Sequence, residues 1–306
     1  MDTIPKSLKI LVLGHKGFLG SHLVLYLRKL GLDVKTVSRD KDLTDYNNVV
    51  SVTRGVDWCF NFAADMGGIG YFSNQNYYPP INNFLIDLNV LRACEHNKVK
   101  RLFYPSSACA YSIYLMNEGY QLSEHMLDYP SEPDQMYGWE KLTMIKLMRN
   151  SPVDCRVGIL HTIYGEGQAF DGNKAKFPPQ MAYKAVQAVK SGEIEVWGDG
   201  SQTRTFLYVL DALEKVMRVM MEDKYWGEVN IGSDQEVSVN EVVRLCCSIL
   251  NIKPKIKYDK TKPTGPKRRL CSNAKFYKHY GDWDEITLEE GFTRLIKFIN
   301  EQQLRS

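Results

Sequence analysis

Leu8-Lys9-Ile10-Leu11-Val12-Leu13-Gly14-His15-Lys16-Gly17-Phe18-Leu19-Gly20 is the stretch that decides the fold. Residues 8–13 form a short apolar run of the kind buried on both faces in a parallel sheet. The glycine turn follows at once, and an amphipathic helix runs on to about Leu30. Strand, glycine turn and helix in direct succession are the context in which a G-x-x-G-x-x-G pattern reads as dinucleotide-binding rather than as a bare turn. Glycines let the backbone approach a pyrophosphate, and the helix N-terminus adds free N–H groups and the positive end of its dipole. Gly14, Lys16, Gly17, Phe18, Leu19 and Gly20 are the candidate cofactor loop.

The second expected strand, residues 33–38, ends in Ser38-Arg39-Asp40. An acidic residue here takes the ribose hydroxyls of NAD, whereas a nearby arginine accepts the 2′-phosphate of NADP. Lys16 and Arg39 would flank that phosphate; alternatively both are solvated and Asp40 takes the ribose. The expected cofactor is NAD or NADP, with Lys16 and Arg39 leaning toward NADP. Residues 56–62 make a third strand, and the small Ala63 and Ala64 at its end let a cofactor lie close. Met66-Gly67-Gly68-Ile69-Gly70 is a loop with enough glycine to fold over a ligand. Pro79-Pro80 is expected to stop the preceding stretch before a helix over 81–96.

A fourth strand, residues 101–104, delivers Ser106-Ser107-Ala108-Cys109-Ala110-Tyr111 to a C-terminal strand edge, where open α/β sheets bind ligands. Tyr137 stands four residues before Lys141, one turn apart on one helix face. An ammonium beside a phenol favours the phenolate, and Ser107 can hold the same substrate oxygen. The three together can oxidise an alcohol or reduce a ketone beside a nicotinamide. Y-x-x-x-K alone is a weak pattern, so its weight comes from the rest of the chain. Residues 155–160 form the next strand, with His161-Thr162-Ile163-Tyr164-Gly165 as its exit loop.

Alternating strands and helices predict an α/β fold, a Rossmann-like doubly wound parallel sheet over residues 1–165. Residues 166–306 form a smaller, discontinuous substrate-binding lobe, some of whose segments return to the core. Within it, Asp211 is expected to cap a helix to Met221 and Ser238 one through Leu250. The chain's 306 residues can bury one or two cores. No apolar run approaches the roughly 20 residues that span a bilayer, and residues 1–9 are too short and polar for a signal peptide. The net charge of +3, with both signs interspersed, argues against a nucleic-acid partner. The seven cysteines include no C-x-x-C pair, so neither a metal site nor a disulfide framework is indicated. Free thiols fit a reducing, cytoplasmic compartment, with no membrane partner.

The glycine loop, Ser107, Tyr137 and Lys141 stand in the order of the extended short-chain dehydrogenases/reductases of the NAD-dependent epimerase/dehydratase family, which the chain resembles nearly end to end. Within that family it is similar to the GDP-mannose 3,5-epimerases at residues 63–70, 106–109, 197–204 and 230–234. It is similar second to the GDP-L-fucose synthases, NADPH users that share the pattern at residues 14–17 and 38–40. The resemblance implies an epimerase of a GDP-hexose. Tyr137, with Ser107 and Lys141, would take the C4 hydroxyl proton while hydride passes to the nicotinamide. The C4 ketone then acidifies C3 and C5, and an acid–base pair inverts them. The resemblance assigns that pair to Cys109 and Lys176, with Lys174 the alternative lysine and burial for packing the plain alternative for Cys109. Hydride return would close a redox-neutral cycle.

The same resemblance places Gly68, Ser107, Lys176, Arg204 and Arg269 on the substrate, the two arginines on its diphosphate. It also implies a homodimer paired through residues 81–96 and 137–149. The second family would make the chain an NADPH-consuming 3,5-epimerase/4-reductase of a GDP-4-keto-6-deoxyhexose, with a histidine where Lys176 stands. A third reading is a non-catalytic nucleotide-binding protein. Thr162 and Glu166 depart from the usual Asn and Pro of these enzymes, and no proline directly follows Tyr111.

Overall fold

The computed structural model describes residues 4–38, 40–130 and 132–305. The first half runs β1 (Ile10–Leu13), α1 (Phe18–Lys29), β2 (Val34–Thr36), α2 (Tyr46–Thr53), β3 (Trp58–Asn61), α3 (Ile69–Asn74), α4 (Tyr78–His96), β4 (Arg101–Ser107), α5 (Ile113–Asn117), β5 (Gln121–Leu122), α6 (Gln135–Arg149), β6 (Asp154–Leu160) and β7 (Thr162–Tyr164). The second half runs α7 (Phe177–Ser191), β8 (Glu193–Trp197), β9 (Thr203–Tyr208), α8 (Val209–Met221), β10 (Val229–Ile231), β11 (Glu236–Ser238), α9 (Val239–Ile249), β12 (Lys255–Asp259), β13 (Arg268–Cys271), α10 (Ala274–Tyr280) and α11 (Leu288–Arg305).

A six-stranded sheet in the order β10-β6-β4-β3-β1-β2 forms the centre, with every pairing parallel. The apolar run of β1 explains its place there. Ile10 and Val12 join Leu23 and Leu27 of α1 and Val216 of α8 on one face. Leu11 and Leu13 join Val49 of α2, Val90 of α4 and Ile145 of α6 on the other. Alternate side chains thus serve opposite layers, as the period of two requires. The chain leaves β1 for β2 on one flank and returns with β3 on the other. That switch point is where open α/β sheets open a ligand crevice at their C-terminal edge. Gly14 sits there at φ 73°, and a Cβ on it would stand 2.4 Å from the Phe62 backbone.

A second sheet, β11-β9-β13-β5 with β7 beside β9, faces the same region, and β8 pairs with β12 as a separate parallel ribbon. Strand β10 comes from the second half of the chain, yet it closes the central sheet against β6.

Some local expectations are corrected. Pro79 and Pro80 do not stop a stretch before the helix: they occupy the first turn of α4, where an absent N–H costs nothing. Asp211 does not cap α8, which starts at Val209 behind Tyr208. Asp211 is buried in the first turn and accepts from Trp283 Nε1 and the Ile286 N–H, each at 2.9 Å. Ser238 does cap α9, in a reciprocal box with Glu241. Among the described residues no helix is long and apolar enough to cross a membrane.

Candidate functional site

Four strand ends of the central sheet build the site. At β1, the Gly17 N–H donates to the Gly14 carbonyl at 2.9 Å and closes the glycine turn. Helix α1 then begins on Gly17 with no side-chain cap and no acidic residue in its first turn. Its first N–H groups therefore lack a side-chain acceptor, which suits an anion. Phe18 and Leu19 are half-buried and Lys16 is exposed. At β3, the Ala63 N–H donates to Asn61 Oδ1 at 3.3 Å, which holds Ala63 and Ala64 at the strand exit. At β2, Ser38 donates to Asp40. Arg39 lies outside the described residues. The turn, the close backbone approach at Gly14 and the uncapped helix together fit a dinucleotide pyrophosphate.

At β4, Ser107 ends the strand and accepts from the Cys109 N–H at 3.2 Å across a single 3₁₀ turn. Tyr137 comes from the start of α6, buried, its ring stacked on Phe72 at 4.9 Å. Burial pushes the phenol well up, while the charge of Lys141 and the hydroxyl of Ser107 pull it back. Lys141 is not simply the phenol's neighbour. Its Nζ is 3.2 Å from Asp87 Oδ2, 3.0 Å from Glu140 Oε1 and 3.1 Å from Tyr104 Oη, and 5.7 Å from the Tyr137 ring centroid. Burial disfavours the ammonium, but Asp87 and Glu140 more than offset that and hold it protonated. Asn61 Nδ2 in turn donates to Asp87 Oδ1 at 2.8 Å. Two carboxylates share one buried cation here, and burial pushes the Glu140 acid up to about 7.

A cavity of about 530 Å³ opens against these groups. Ser107, Cys109, Tyr137, Gly68, Lys176, Arg204 and Arg269 all line it. The glycine loop, Ala63, Ala64 and Lys141 are not among its described walls; the loop and the alanines stand at the C-terminal ends of β1 and β3, on the sheet edge that carries Ser107. A Cβ on Gly68 would stand 2.4 Å from the Ala175 carbonyl oxygen, so glycine lets residues 66–70 close on the start of α7. That start is Lys176, at the N-cap position. The two lysines considered separate cleanly. Lys174 is half-exposed, pairs with Asp65 at 2.6 Å and is not among the described walls. Lys176 shares the cavity with Cys109.

The charges there are unbalanced. Strands β9 and β13 run side by side with Arg204 opposite Arg269, so two guanidinium groups converge from residues distant in sequence. Burial and the charge of Arg269 push Arg204 down to about 9. Burial lowers Lys176, with Cys109 opposing that and Arg269 adding to it. Burial raises the Cys109 thiol and Asp134 adds to that, against the pull of Arg269 and Lys176. Arg269 Nη2 meets Asp134 Oδ2 at 2.5 Å, yet its buried Nε has no partner. Asp134 is the sole carboxylate among the described walls, against Lys176, Lys184, Lys262, Arg204 and Arg269. Lys262 is exposed and Lys184 pairs with Glu195, so the uncompensated charge is that of the half-buried Lys176, Arg204 and Arg269, and it calls for an anionic ligand. Trp197 also lines the cavity, with Lys184 and Lys262 within 5.7 and 5.9 Å of its ring centroid. Among the described residues no group of His, Cys, Asp or Glu side chains could hold a metal.

Sequence reasoning passed over Asp87, Asp134, Glu140, Lys184 and Trp197 as site residues. Trp197 carried a signal, a large aromatic directly before Gly-Asp-Gly. Asp134 carried a misleading one, because an Asp three residues before Tyr-Gly-Trp-Glu-Lys is ordinary for a helix start.

Residues 10–232 match the NAD dependent epimerase/dehydratase family, and the chain belongs to that family. It is 33% identical to the GDP-mannose 3,5-epimerase of Arabidopsis thaliana, over 97% of this chain and 83% of that one. It is 28% identical to a putative GDP-L-fucose synthase 2 of the same plant, over 97% and 93% of the two chains. The fold superposes on the NADP-bound GDP-L-fucose synthetase of Naegleria fowleri with a TM-score of 0.87, at 20% identity over 99% and 96% of the chains.

Two predictions arise from this geometry. Alanine is favoured over glycine in a helix by up to ~1 kcal/mol. At Gly138, however, a Cβ would stand 2.2 Å from the Cys109 carbonyl oxygen. Gly138→Ala is therefore expected to destabilise the protein by ~1–3 kcal/mol in urea unfolding; a gain in stability would refute the close packing of α6 on the Cys109 turn. Glu140 keeps its proton up to about 7 in the folded chain, against 4.5 when unperturbed. The folded state then binds the extra proton between those values, so this contribution is complete below the lower value and lost as pH rises through the higher. The urea midpoint should fall between about pH 5 and about pH 8, and Glu140→Gln should flatten that slope. An identical slope in the variant would contradict the assignment.

Proposed function

We propose that the chain is a nucleotide-sugar epimerase that acts on a GDP-hexose through transient oxidation at C4. One observation carries this: a single cavity is walled by Ser107 and Tyr137 and also by Cys109 and Lys176. A redox site and a proton-exchange site on one substrate are what a 3,5-epimerisation needs and what a simple dehydrogenase does not. The relation to GDP-mannose 3,5-epimerase supports the same reading.

In this mechanism Ser107 holds the C4 oxygen and Tyr137 takes and later returns its proton, with the Lys141 charge easing the phenolate. A nicotinamide whose pyrophosphate is held by the Gly14–Gly20 turn and the start of α1 would supply the hydride acceptor and donor for C4. The C4 ketone acidifies the neighbouring C–H bonds, and Cys109 and Lys176 remove and return those protons. Arg204 and Arg269 hold the diphosphate, a role supported by the unpartnered Arg269 Nε. Trp197 offers a ring for the nucleobase. Between NAD and NADP the reading leans to NADP on Lys16 and Arg39, the alternative being that both are solvated and Asp40 takes the ribose. Tyr78, Ile81 and Leu85 on α4 and Trp139 and Leu147 on α6 are exposed apolar side chains, which supports pairing with a second copy along these helices. Free thiols on all seven cysteines support a reducing, cytoplasmic setting.

The second reading is an NADPH-dependent 3,5-epimerase/4-reductase of a GDP-4-keto-6-deoxyhexose, favoured by the similarity to GDP-L-fucose synthases. Incubation with GDP-mannose in D2O, without added reductant, separates the two. Deuterium at C3 or C5 with new GDP-hexose epimers is expected, and Cys109→Ser and Lys176→Ala should each slow that exchange by about 10²-fold or more. No exchange by cofactor-loaded protein, together with stoichiometric NADPH loss on the keto-sugar, would transfer the assignment to the reductase. Full exchange in both variants would remove Cys109 and Lys176 from the chemistry.

A further inference from the structure

Asp134 has no task in the reaction above, yet it stands at the centre of its charged groups. It precedes α6 at the N-cap position, where an Asp ordinarily accepts from its own helix. Its carboxylate caps nothing. Oδ2 lies instead 2.5 Å from Arg269 Nη2 and 3.8 Å from Cys109 Sγ, placing one carboxylate between a guanidinium and a thiol. Gln135, the next residue, is held at φ 61°, a strained value for a non-glycine residue, as the chain turns into the helix.

We propose that Asp134 is a positioning residue that holds the proton on the Cys109 thiol in the resting site. The inference rests on the epimerase reading and deepens it. The groups that face the thiol come from every neighbouring element: Ser107 at the end of β4, Tyr137 on α6, Lys176 at the head of α7, Arg204 on β9 and Arg269 on β13. Three of these are cations. Each of them favours the thiolate. Asp134 cancels the charge of Arg269 and sets its own against the sulfur. The low-energy arrangement is then a neutral thiol.

The test reads the thiol directly and needs no sugar. Cys109 is alkylated with iodoacetamide across pH, its peptide followed by mass, in the wild type, Asp134→Asn and Asp134→Glu. In Asp134→Asn the midpoint of the rate profile should fall by about one unit, and labelling at neutral pH should rise about tenfold. Asp134→Glu should stay near the wild type. An unmoved or raised midpoint in Asp134→Asn overturns the proposal. Labelling of the buried Cys59 would show a loosened fold, and Arg269→Gln then decides: its midpoint must rise, and an unchanged one overturns the proposal equally. Because the readout is independent of turnover, its failure leaves the epimerase reading to the deuterium experiment.

Discussion

A buried ammonium must find partners, and the site is arranged around that demand at Lys141. Its Nζ meets Asp87 of α4, Glu140 of its own helix and Tyr104 of β4, while Asn61 of β3 steadies Asp87. Four elements are thereby tied at one point behind Tyr137. Removing one partner from a buried ion pair costs about 3–5 kcal/mol, because the other charge is left uncompensated. The cluster therefore resists sliding of α6 along the sheet. Tyr137, one turn away, inherits that fixity, and its stacking on Phe72 sets the remaining freedom of the ring.

The second half of the chain contributes charge where the first contributes position. Register pairing of β9 with β13 brings Arg204 and Arg269 together at the cavity wall. The Arg204 guanidinium donates to the Thr203 carbonyl at 2.6 Å and to the Thr264 carbonyl at 3.2 Å, so its direction is set by neutral backbone acceptors and its charge remains available. Arg269 keeps one donor unpaired in the interior. Such an arrangement is poor for stability, since unpaired buried charge is expensive. It is good for a ligand whose diphosphate supplies the missing counter-charge. The cost sits at the site, where ligand binding can repay it.

The central fold was legible because its signals are local. An apolar tetrad followed directly by spaced glycines is a strand, a turn and a helix at adjacent positions, and the Tyr137–Lys141 spacing is a property of one helix. The opposition of Arg204 to Arg269 is different in kind, because it depends on a strand register that no window of sequence contains. Asp87 reads locally as one more polar residue in a long helix; its meaning comes from Lys141 arriving from another helix. Asp134 was hidden for a third reason. Its local reading as a cap is correct in position and wrong in use, since its side chain is claimed by Arg269. Asp211 erred in the opposite way, a capping residue type that tertiary partners drew into the first turn and buried. Pro79 and Pro80 show the same limit, because two prolines are compatible with a helix's beginning as well as with its exclusion.

Tyr137 joins the two chemistries electrostatically. Burial raises its phenol, Lys141 lowers it, and negative charge on Cys109 would raise it further. In the proposed mechanism the phenol accepts a proton from C4, and it would work best while the neighbouring sulfur is neutral. The carboxylate proposed to hold the thiol proton would then also serve the redox step, although it does not touch the phenol. In that mechanism ionisation of Cys109 belongs later, once the C4 ketone exists and Tyr137 already carries the proton it took. The order of events, oxidation before proton exchange, follows from chemistry at C4, and the charges around Tyr137 and Cys109 favour that same order in the protein.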